Sequence, residues 1–239
     1  MKLGLVGSTG KMGQEVTSLA GNPPFTDISI FGSYSSNNKD IDSLANSDVI
    51  LDFSIPTISI EILKHFETLE SPPRIVIGTT GWNKSDFEIL NRFSKKAVAF
   101  YASNFSIGIS LLNVILSEMS DLLDVLGFTN SISETHHAHK RDKPSGTAVS
   151  LAETIQIHTN KTPPIESIRI GEVVGDHQVK FETKGVCLVF SHYAKDRSIF
   201  AFGALNACQW IQNITVPGLY GMNDLLNDMR KKNGNYTGE

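Results

Sequence analysis

The chain has 239 residues, 40% of them hydrophobic and 19% charged, with a formal net charge of -4. That is enough chain to bury a sizeable core, as one large domain or two small ones. A slightly acidic balance without a long Lys/Arg block argues against a general binder of nucleic acid or polyanions. Cys187 and Cys208 are too few for a disulfide framework, and MKLGLVGSTG does not read as a signal peptide. No run approaches ~18 apolar residues, so the expectation is a cytoplasmic protein without a membrane span.

Lys2–Val6 reads as a short buried strand entering Gly7-Ser8-Thr9-Gly10-Lys11-Met12-Gly13, with a helix following to about Ala20. The spacing G-x-x-G-x-x-G is a variant of the dinucleotide fingerprint. Its glycines permit a tight turn and the approach of a pyrophosphate to a helix N-terminus. Placement directly after an N-terminal strand favours a nucleotide over an ordinary strand-to-helix turn. Strands are expected at Asp27–Gly32, Asp48–Phe53, Arg74–Ile77 and Val98–Tyr101, with a helix over Ile58–Thr68. Ser85 and Glu88 have the spacing of a capping box for a helix running to about Lys95. This β-α repetition predicts a Rossmann-like parallel sheet with helices on both faces and ligands beyond the carboxyl ends of its strands. Those ends include Gly7–Met12, Asp52–Ser54, Gly78-Thr79-Thr80 and Ala102-Ser103-Asn104-Phe105.

A long apolar helix is expected over Ser106–Leu126, and then a strand, Ser131–Thr135, delivers His136, His137, His139 and Lys140. Pro144-Ser145-Gly146-Thr147 follows as a helix entrance, because Ala148, Leu151, Ala152 and Ile155 repeat at i, i+3, i+4 and i+7. Ser145, Gly146 and Thr147 are expected to offer free N–H groups and two hydroxyls to an anion, which the helix dipole favours. Imidazoles manage protons near neutral pH, and Lys140 is a point charge for a carboxylate that can also donate a proton. If 134–140 were helical, His136 and Lys140 would share a face; if extended, His137 and His139 would. No ligand spacing such as H-E-x-x-H supports a metal, and a solvated polar loop is the bland reading. The helix entrance favours an acid/base site for an anionic substrate.

Beyond it the pattern changes to β segments at Ile165–Val174, Gln178–Thr183 and Val186–Tyr193, with Lys184-Gly185 as a hairpin turn. The alternation of Val179, Phe181 and Thr183, continued by Val186, Leu188 and Phe190, predicts a half-buried face. Ala201, Ala204, Leu205 and Cys208 carry a further helix, and a short one is expected at Asn223–Arg230. The shift in pattern marks a boundary near Asn104–Gly108. The expected organisation is a dinucleotide-binding domain at 1–105, completed by 212–239, and an α+β domain at 106–211. That second domain would bind substrate, drive oligomerisation and carry a mixed or largely antiparallel sheet.

The stretch E-T-H-H-A-H-K-R-D-K-P-S-G-T-A, Glu134–Ala148, resembles the signature E-x-H-H-x-x-K-x-D-x-P-S-G-T-A of the 4-hydroxy-tetrahydrodipicolinate (dihydrodipicolinate) reductase family. Val6–Gly13, Asp52-Phe53-Ser54, Gly78–Gly81, Asn104–Gly108, Gly175-Asp176-His177, His192, Arg197 and Phe200-Ala201 are similar to further family segments, in order. The resemblance implies an NADH- or NADPH-dependent reduction of a cyclic dicarboxylate in lysine and diaminopimelate biosynthesis, by a homotetramer without a resident metal. It assigns proton transfer to His136 and Lys140, and substrate binding to His137, Gly146 and Thr147 with Ser145 beside them. Cofactor contacts would come from Gly7, Ser8, Thr9, Gly10, Lys11, Met12, Gly78, Thr79, Thr80, Ala102, Ser103, Asn104 and Phe105. The chain departs from the family pattern at Tyr193, at Val186, and at Ser33-Tyr34-Ser35, where an acidic or basic residue often ends the second strand. Two other readings remain: a different two-domain dehydrogenase of aspartate or homoserine type, and a non-catalytic nucleotide-sensing module.

Overall fold

The structure is a computed structural model that describes residues 1–233. It divides into two compact units, one built from Met1–Phe105 together with the chain from Ser198 onward, the other from Ser106–Arg197.

The first unit carries a six-stranded, all-parallel sheet. Its strands are β1 (Lys2–Val6), β2 (Ser29–Tyr34), β3 (Val49–Asp52), β4 (Arg74–Ile77), β5 (Val98–Tyr101) and β10 (Gly218–Tyr220), in the order β10-β5-β4-β3-β1-β2. Helices α1 (Lys11–Leu19), α2 (Pro56–Glu67) and α3 (Lys84–Ser94) follow β1, β3 and β4. Strands β3 and β4 are almost wholly buried because helices cover both faces of a parallel sheet. The chain runs from β1 outward to β2 and then returns to β3 on the other side. That places the switch point, where such sheets bind ligands, beyond the carboxyl ends of β1 and β3.

Two local expectations are corrected. Helix α3 is capped by Asn83, whose side chain accepts from Ser85 N and Asp86 N while Asp86 returns a bond to Asn83 N; Ser85 and Glu88 are not the box. Strand β2 sits two residues later than expected, which brings Tyr34 beside Val6 and puts Ser35 and Ser36 directly after the strand end.

The second unit carries the mixed sheet β7-β6-β8-β9, formed by β6 (Thr129–His136), β7 (Ile165–Arg169), β8 (Gly175–Glu182) and β9 (Cys187–Ala194). Strands β6 and β7 are parallel, and the other pairs are antiparallel. Thr183 N bonds to Val186 O across Lys184-Gly185, closing the hairpin between β8 and β9. Helices α4 (Ile107–Val125) and α5 (Gly146–Thr159) supply Leu112, Leu116, Leu151 and Ile155 to a core completed by Ile132, Val179 and Phe181. Register puts Val179 opposite Phe190 and Phe181 opposite Leu188. Val179 and Phe181 are buried in that core with Phe190 packed against it, whereas Leu188 and Val186 are exposed, so the expected half-buried face does not extend to the start of β9.

The remaining helices, α6 (Ser198–Ile211) and α7 (Met222–Asn233), belong to the first unit. The assignment of 198–211 to the second domain is therefore corrected. Helix α6 packs on α1 and under β3, β4 and β5, burying Ala201, Ala204, Leu205, Cys208 and Ile211. Its apolar stripe was legible in sequence, but a stripe does not say which sheet it covers. Of the 212–239 segment, residues 234–239 lie outside the described residues.

Candidate active site

In the first unit the glycine turn shows why its residues are glycine. Gly7 has φ +80, and a Cβ there would stand 2.5 Å from the carbonyl oxygen of Phe53. At Gly13 a Cβ would stand 2.3 Å from Gly7 O, so the first turn of α1 lies directly on the loop. Gly7 N donates to Tyr34 O and Phe53 N to Val6 O, which ties β1, β2 and β3 together at their carboxyl ends. Over these ends opens a cavity of about 420 Å³, lined by Gly7, Thr9, Gly10, Tyr34, Ser35, Ser36, Lys39, Phe53 and Ser54 among others.

Beneath the cavity lies Asp52, fully buried. It accepts hydrogen bonds from Ser54 N at 2.8 Å, Ser54 Oγ at 2.5 Å, Thr79 Oγ1 at 3.3 Å and Ser59 Oγ. Burial pushes its carboxyl above the usual range against these four donors. Asp52 thereby pins the turns after β3 and β4 to each other.

The predicted cofactor residues fall into two groups. Gly7, Thr9 and Gly10 line the cavity, and Ser8, Lys11 and Met12 belong to the same turn and the start of α1. Thr79 is buried with its hydroxyl committed to Asp52, while Gly78 packs under the Phe53 ring and Thr80 is exposed beyond it. Ala102 and Phe105 are buried, Phe105 stacking on Phe100 and meeting Phe53 edge-on; Ser103 is exposed and Asn104 half-buried. All these segments follow β1, β4 and β5, which end on one edge of a parallel sheet.

The crevice has the features of a dinucleotide site: glycines that leave the backbone bare at a helix start, and hydroxyls and one lysine among its lining residues.

In the second unit the chemistry comes from one strand. Along β6 the inward residues are Ile132, Glu134 and His136, so a face that begins apolar turns ionisable at its carboxyl end. Register continues the row: Glu134 lies opposite His177 of β8, His177 opposite His192 of β9, and His136 beside Arg169 of β7. Glu134 bonds His136 Nδ1, pairs with Arg169 at 2.8 Å and accepts from Ser145 N at 3.3 Å. The His136 and His177 rings meet edge-on with centroids 5.1 Å apart. Ser145 Oγ accepts from Ala148 N and bonds His177 Nε2 at 3.3 Å, and Ser106 Oγ bonds His192 Nε2 at 2.9 Å.

Burial alone would raise the Glu134 carboxyl, but Arg169, Ser167 and His136 hold it down at about 2. It therefore stabilises the fold above the ordinary carboxylate range, and that contribution fades as pH falls toward 2. Burial lowers His136, with Glu134 opposing, and it lowers His177 to about 3, leaving that ring neutral.

Lys140 lies four residues on, past a turn in which its N–H donates to His137 O, and its Nζ pairs with Asp142 at 2.8 Å. Neither sequence alternative for 134–140 holds. Glu134 and His136 share a strand face, and a turn carrying half-buried His137 and exposed His139 leads to Lys140. The helix entrance is corrected too. Ser145 caps α5 and its N–H serves Glu134, while the Gly146 N–H bonds the Asp142 carboxylate. The start of α5 does attract anions, but in this structure they are the protein's own.

Glu134, Arg169, His177 and His192 were given no role from sequence. Glu134 had a local signal, since it lies two residues before His136 in a strand; the others arrive only through register. Glu134, His136 and His177 also bring donor atoms within 4.8 Å of one another, a set acceptable to a divalent cation. Here the carboxylate oxygens are engaged by Arg169, His136 and Ser145, and the three behave as a hydrogen-bond network.

A doubly wound parallel sheet with a glycine turn at its switch point, joined in one chain to a sheet bearing buried ionisable side chains, is the architecture of a nicotinamide-nucleotide-dependent oxidoreductase. Residues 1–105 match the family model described as "Dihydrodipicolinate reductase, N-terminus", and residues 108–226 the one described as its C-terminus. The chain belongs to the dihydrodipicolinate reductase family. It is 36% identical to the 4-hydroxy-tetrahydrodipicolinate reductase of Rickettsia rickettsii (strain Sheila Smith), over 94% of this chain and 98% of that protein. To the enzyme of the same name from Bdellovibrio bacteriovorus it is 34% identical, over 97% and 99%. Among solved structures it superposes on the dipicolinate-bound dihydrodipicolinate reductase from Paenisporosarcina sp. TG-14 with TM-score 0.74, at 22% identity, covering 92% of this chain and 97% of that one. Aspartate dehydrogenase from Thermotoga maritima shares the fold at TM-score 0.51 and 14% identity, over 91% and 99%. Among the described residues no helix is long and apolar enough to cross a membrane.

Proposed function

We infer that this chain reduces 4-hydroxy-tetrahydrodipicolinate to tetrahydrodipicolinate with NADH or NADPH, in the cytoplasm. The observation that carries the reading is the end of β6, where His136 lies within electrostatic reach of Lys140 and is tied through Glu134 to Ser145 at the start of α5. The nicotinamide supplies a hydride when bound. The residues of the second unit receive the dicarboxylate and manage its protons. One carboxylate takes the place that Asp142 holds at Lys140 and Gly146 N, with Thr147 and His137 beside it. The 4-hydroxyl leaves as water to give dihydrodipicolinate, and His136 or Lys140 donates the proton that, with the hydride, completes the reduction to tetrahydrodipicolinate. In the first unit, Gly7–Met12 carries the pyrophosphate, and the loops at Gly78–Thr80 and Ala102–Phe105 complete the cofactor site.

Loss of NAD(P)H absorbance with freshly generated dihydrodipicolinate tests this; turnover is expected there, and no reduction of NAD(P)+ is expected with aspartate or homoserine. Tight cofactor binding without turnover would favour a sensing module. Both cofactors should work. The strand β2 ends at Tyr34 with no acid to repel a 2′-phosphate and no arginine to reward one, leaving Ser35, Ser36 and Lys39 at the cavity. The kcat/KM values should differ by no more than about 30-fold, or ~2 kcal/mol. Any NADPH preference due to the charges of Lys11 and Lys39 should fade with added salt. A preference of roughly a thousandfold would reveal another reader of the 2′ position.

The second unit forms a homotetramer in this reading. The side of its sheet turned away from α4 and α5 leaves Ile168, Val189 and Tyr193 exposed, between 41% and 62%. Sheets with an exposed apolar second face commonly cover it with another subunit. Light scattering at micromolar concentration should give a tetramer; a monomer with full activity rules the assembly out.

A further inference from the structure

We propose that Glu134 is a positioning residue, which holds His136 by Nδ1 so that Nε2 is the nitrogen left to deliver the reacting proton. The inference rests on the reading of His136 as a proton donor and adds to it a reason for the donor's orientation. A carboxylate only accepts hydrogen bonds, so the atom of His136 facing Glu134 must carry hydrogen in both the neutral and the charged ring. The exchangeable proton is then the one on Nε2.

Two further features fix the arrangement. Glu134 is itself immobilised by Arg169 at 2.8 Å and Ser145 N at 3.3 Å, and Arg169 is anchored in turn to the backbone of Asp142 at 2.5 Å. On the other side of the ring stands Gly175, where a Cβ would approach His136 Nε2 to 3.0 Å; glycine keeps that nitrogen clear. Removing a carboxylate that orients a catalytic imidazole strands the ring in the wrong tautomer and lowers turnover steeply.

The charged and titratable groups around His136 are Glu134 on its own strand, Arg169 from β7, His177 from β8 and Lys140 from the following loop. Glu134 favours the protonated ring, while burial, Lys140 and Arg169 oppose it and His177 is neutral. Loss of the carboxylate therefore makes His136 a weaker base, and turnover that needs protonated His136 fails at lower pH.

The test uses the full chain with dihydrodipicolinate and NADPH. Glu134→Gln should lower kcat roughly 30-fold or more, with the cofactor KM unchanged and the alkaline limb of the kcat profile moved to lower pH. Imidazole ¹⁵N spectra should change His136 from a single Nδ1–H tautomer to a mixture. In a His136→Asn background the same substitution should cost less than about twofold, because two residues acting as one unit are not additive. If Glu134→Gln leaves Arg169 unpaired and the protein does not fold, Glu134→Gln with Arg169→Met serves for the same readouts. A near-normal kcat with an unmoved limb overturns the proposal. So does an equal loss in the His136→Asn background, which would make Glu134 a merely structural residue. Full turnover in His136→Asn alone would instead remove the reading of His136 itself.

Discussion

Alanine at His136 or at Lys140 should each lower kcat by roughly 10²-fold or more, the usual loss when a general acid is removed. The expectation follows from placement. His136 ends a rigid strand, is buried to 7% exposure and is held by Glu134, so water has little room to replace it. Lys140 pairs with Asp142 near the start of α5, and on the proposed reading its loss takes away both a proton source and the counter-charge of a carboxylate. Cofactor KM should hardly change in either variant, since neither residue lies in the unit that carries the glycine turn. Lys140→Ala should also raise the KM for the dicarboxylate, which His136→Ala should affect less. Steady-state kinetics with each substrate varied separates these effects. Near-normal kcat in both variants would take the two residues out of the mechanism.

Alanine at Gly13 should raise the dissociation constant for NADH or NADPH about 30-fold, and it should lower folding stability by about 1–3 kcal/mol, the range for overpacking. Its Cβ would meet Gly7 O at 2.3 Å and Ser8 backbone atoms at 2.7 and 2.8 Å. These are backbone atoms, with no rotamer to change, so the loop must lift off the helix. That displacement moves the N–H groups needed for the pyrophosphate. Gly10 makes a control: a Cβ there has Gly7 O at 3.3 Å as its one close neighbour, and the effect should be much smaller. Calorimetric titration of the cofactor and thermal unfolding check the pair. Wild-type affinity in Gly13→Ala would show that the turn tolerates rearrangement and that the close approach is incidental.

Most of the first unit was legible from sequence because its signals are local. A glycine triplet after an apolar strand, and four short strands separated by helical periods, suffice for a parallel sheet. What escaped was pairing at a distance. Helix α6 shows an apolar stripe but nothing in that stripe names the first sheet as its partner. The box at Asn83 was missed in favour of Ser85 and Glu88, two residues later, because both sets satisfy the same spacing rule and only the backbone decides.

In the second unit the His136–Lys140 cluster announced itself, while its supports did not. Arg169, His177 and His192 lie on three other strands, and only the register of the sheet lines them up with Glu134 and His136. The expectation of free N–H groups at Ser145 and Gly146 failed for a related reason. Glu134 and Asp142 are close in space and supply carboxylates that linear spacing does not place there.

The change of character along β6 has a consequence for any effort to make the protein more robust. The strand's inner face begins with Ile132, which belongs to the core, and ends with Glu134 and His136, which together with His177 replace hydrocarbon by polar groups. The Nδ1 of His177 is buried without a partner among the described residues, and such a group weakens a fold. Well-packed apolar side chains at these positions would tend to raise thermal tolerance. Selection on heat resistance alone would therefore drift toward a sturdier, inert protein, and only selection that also scores turnover would keep this end of the strand as it is.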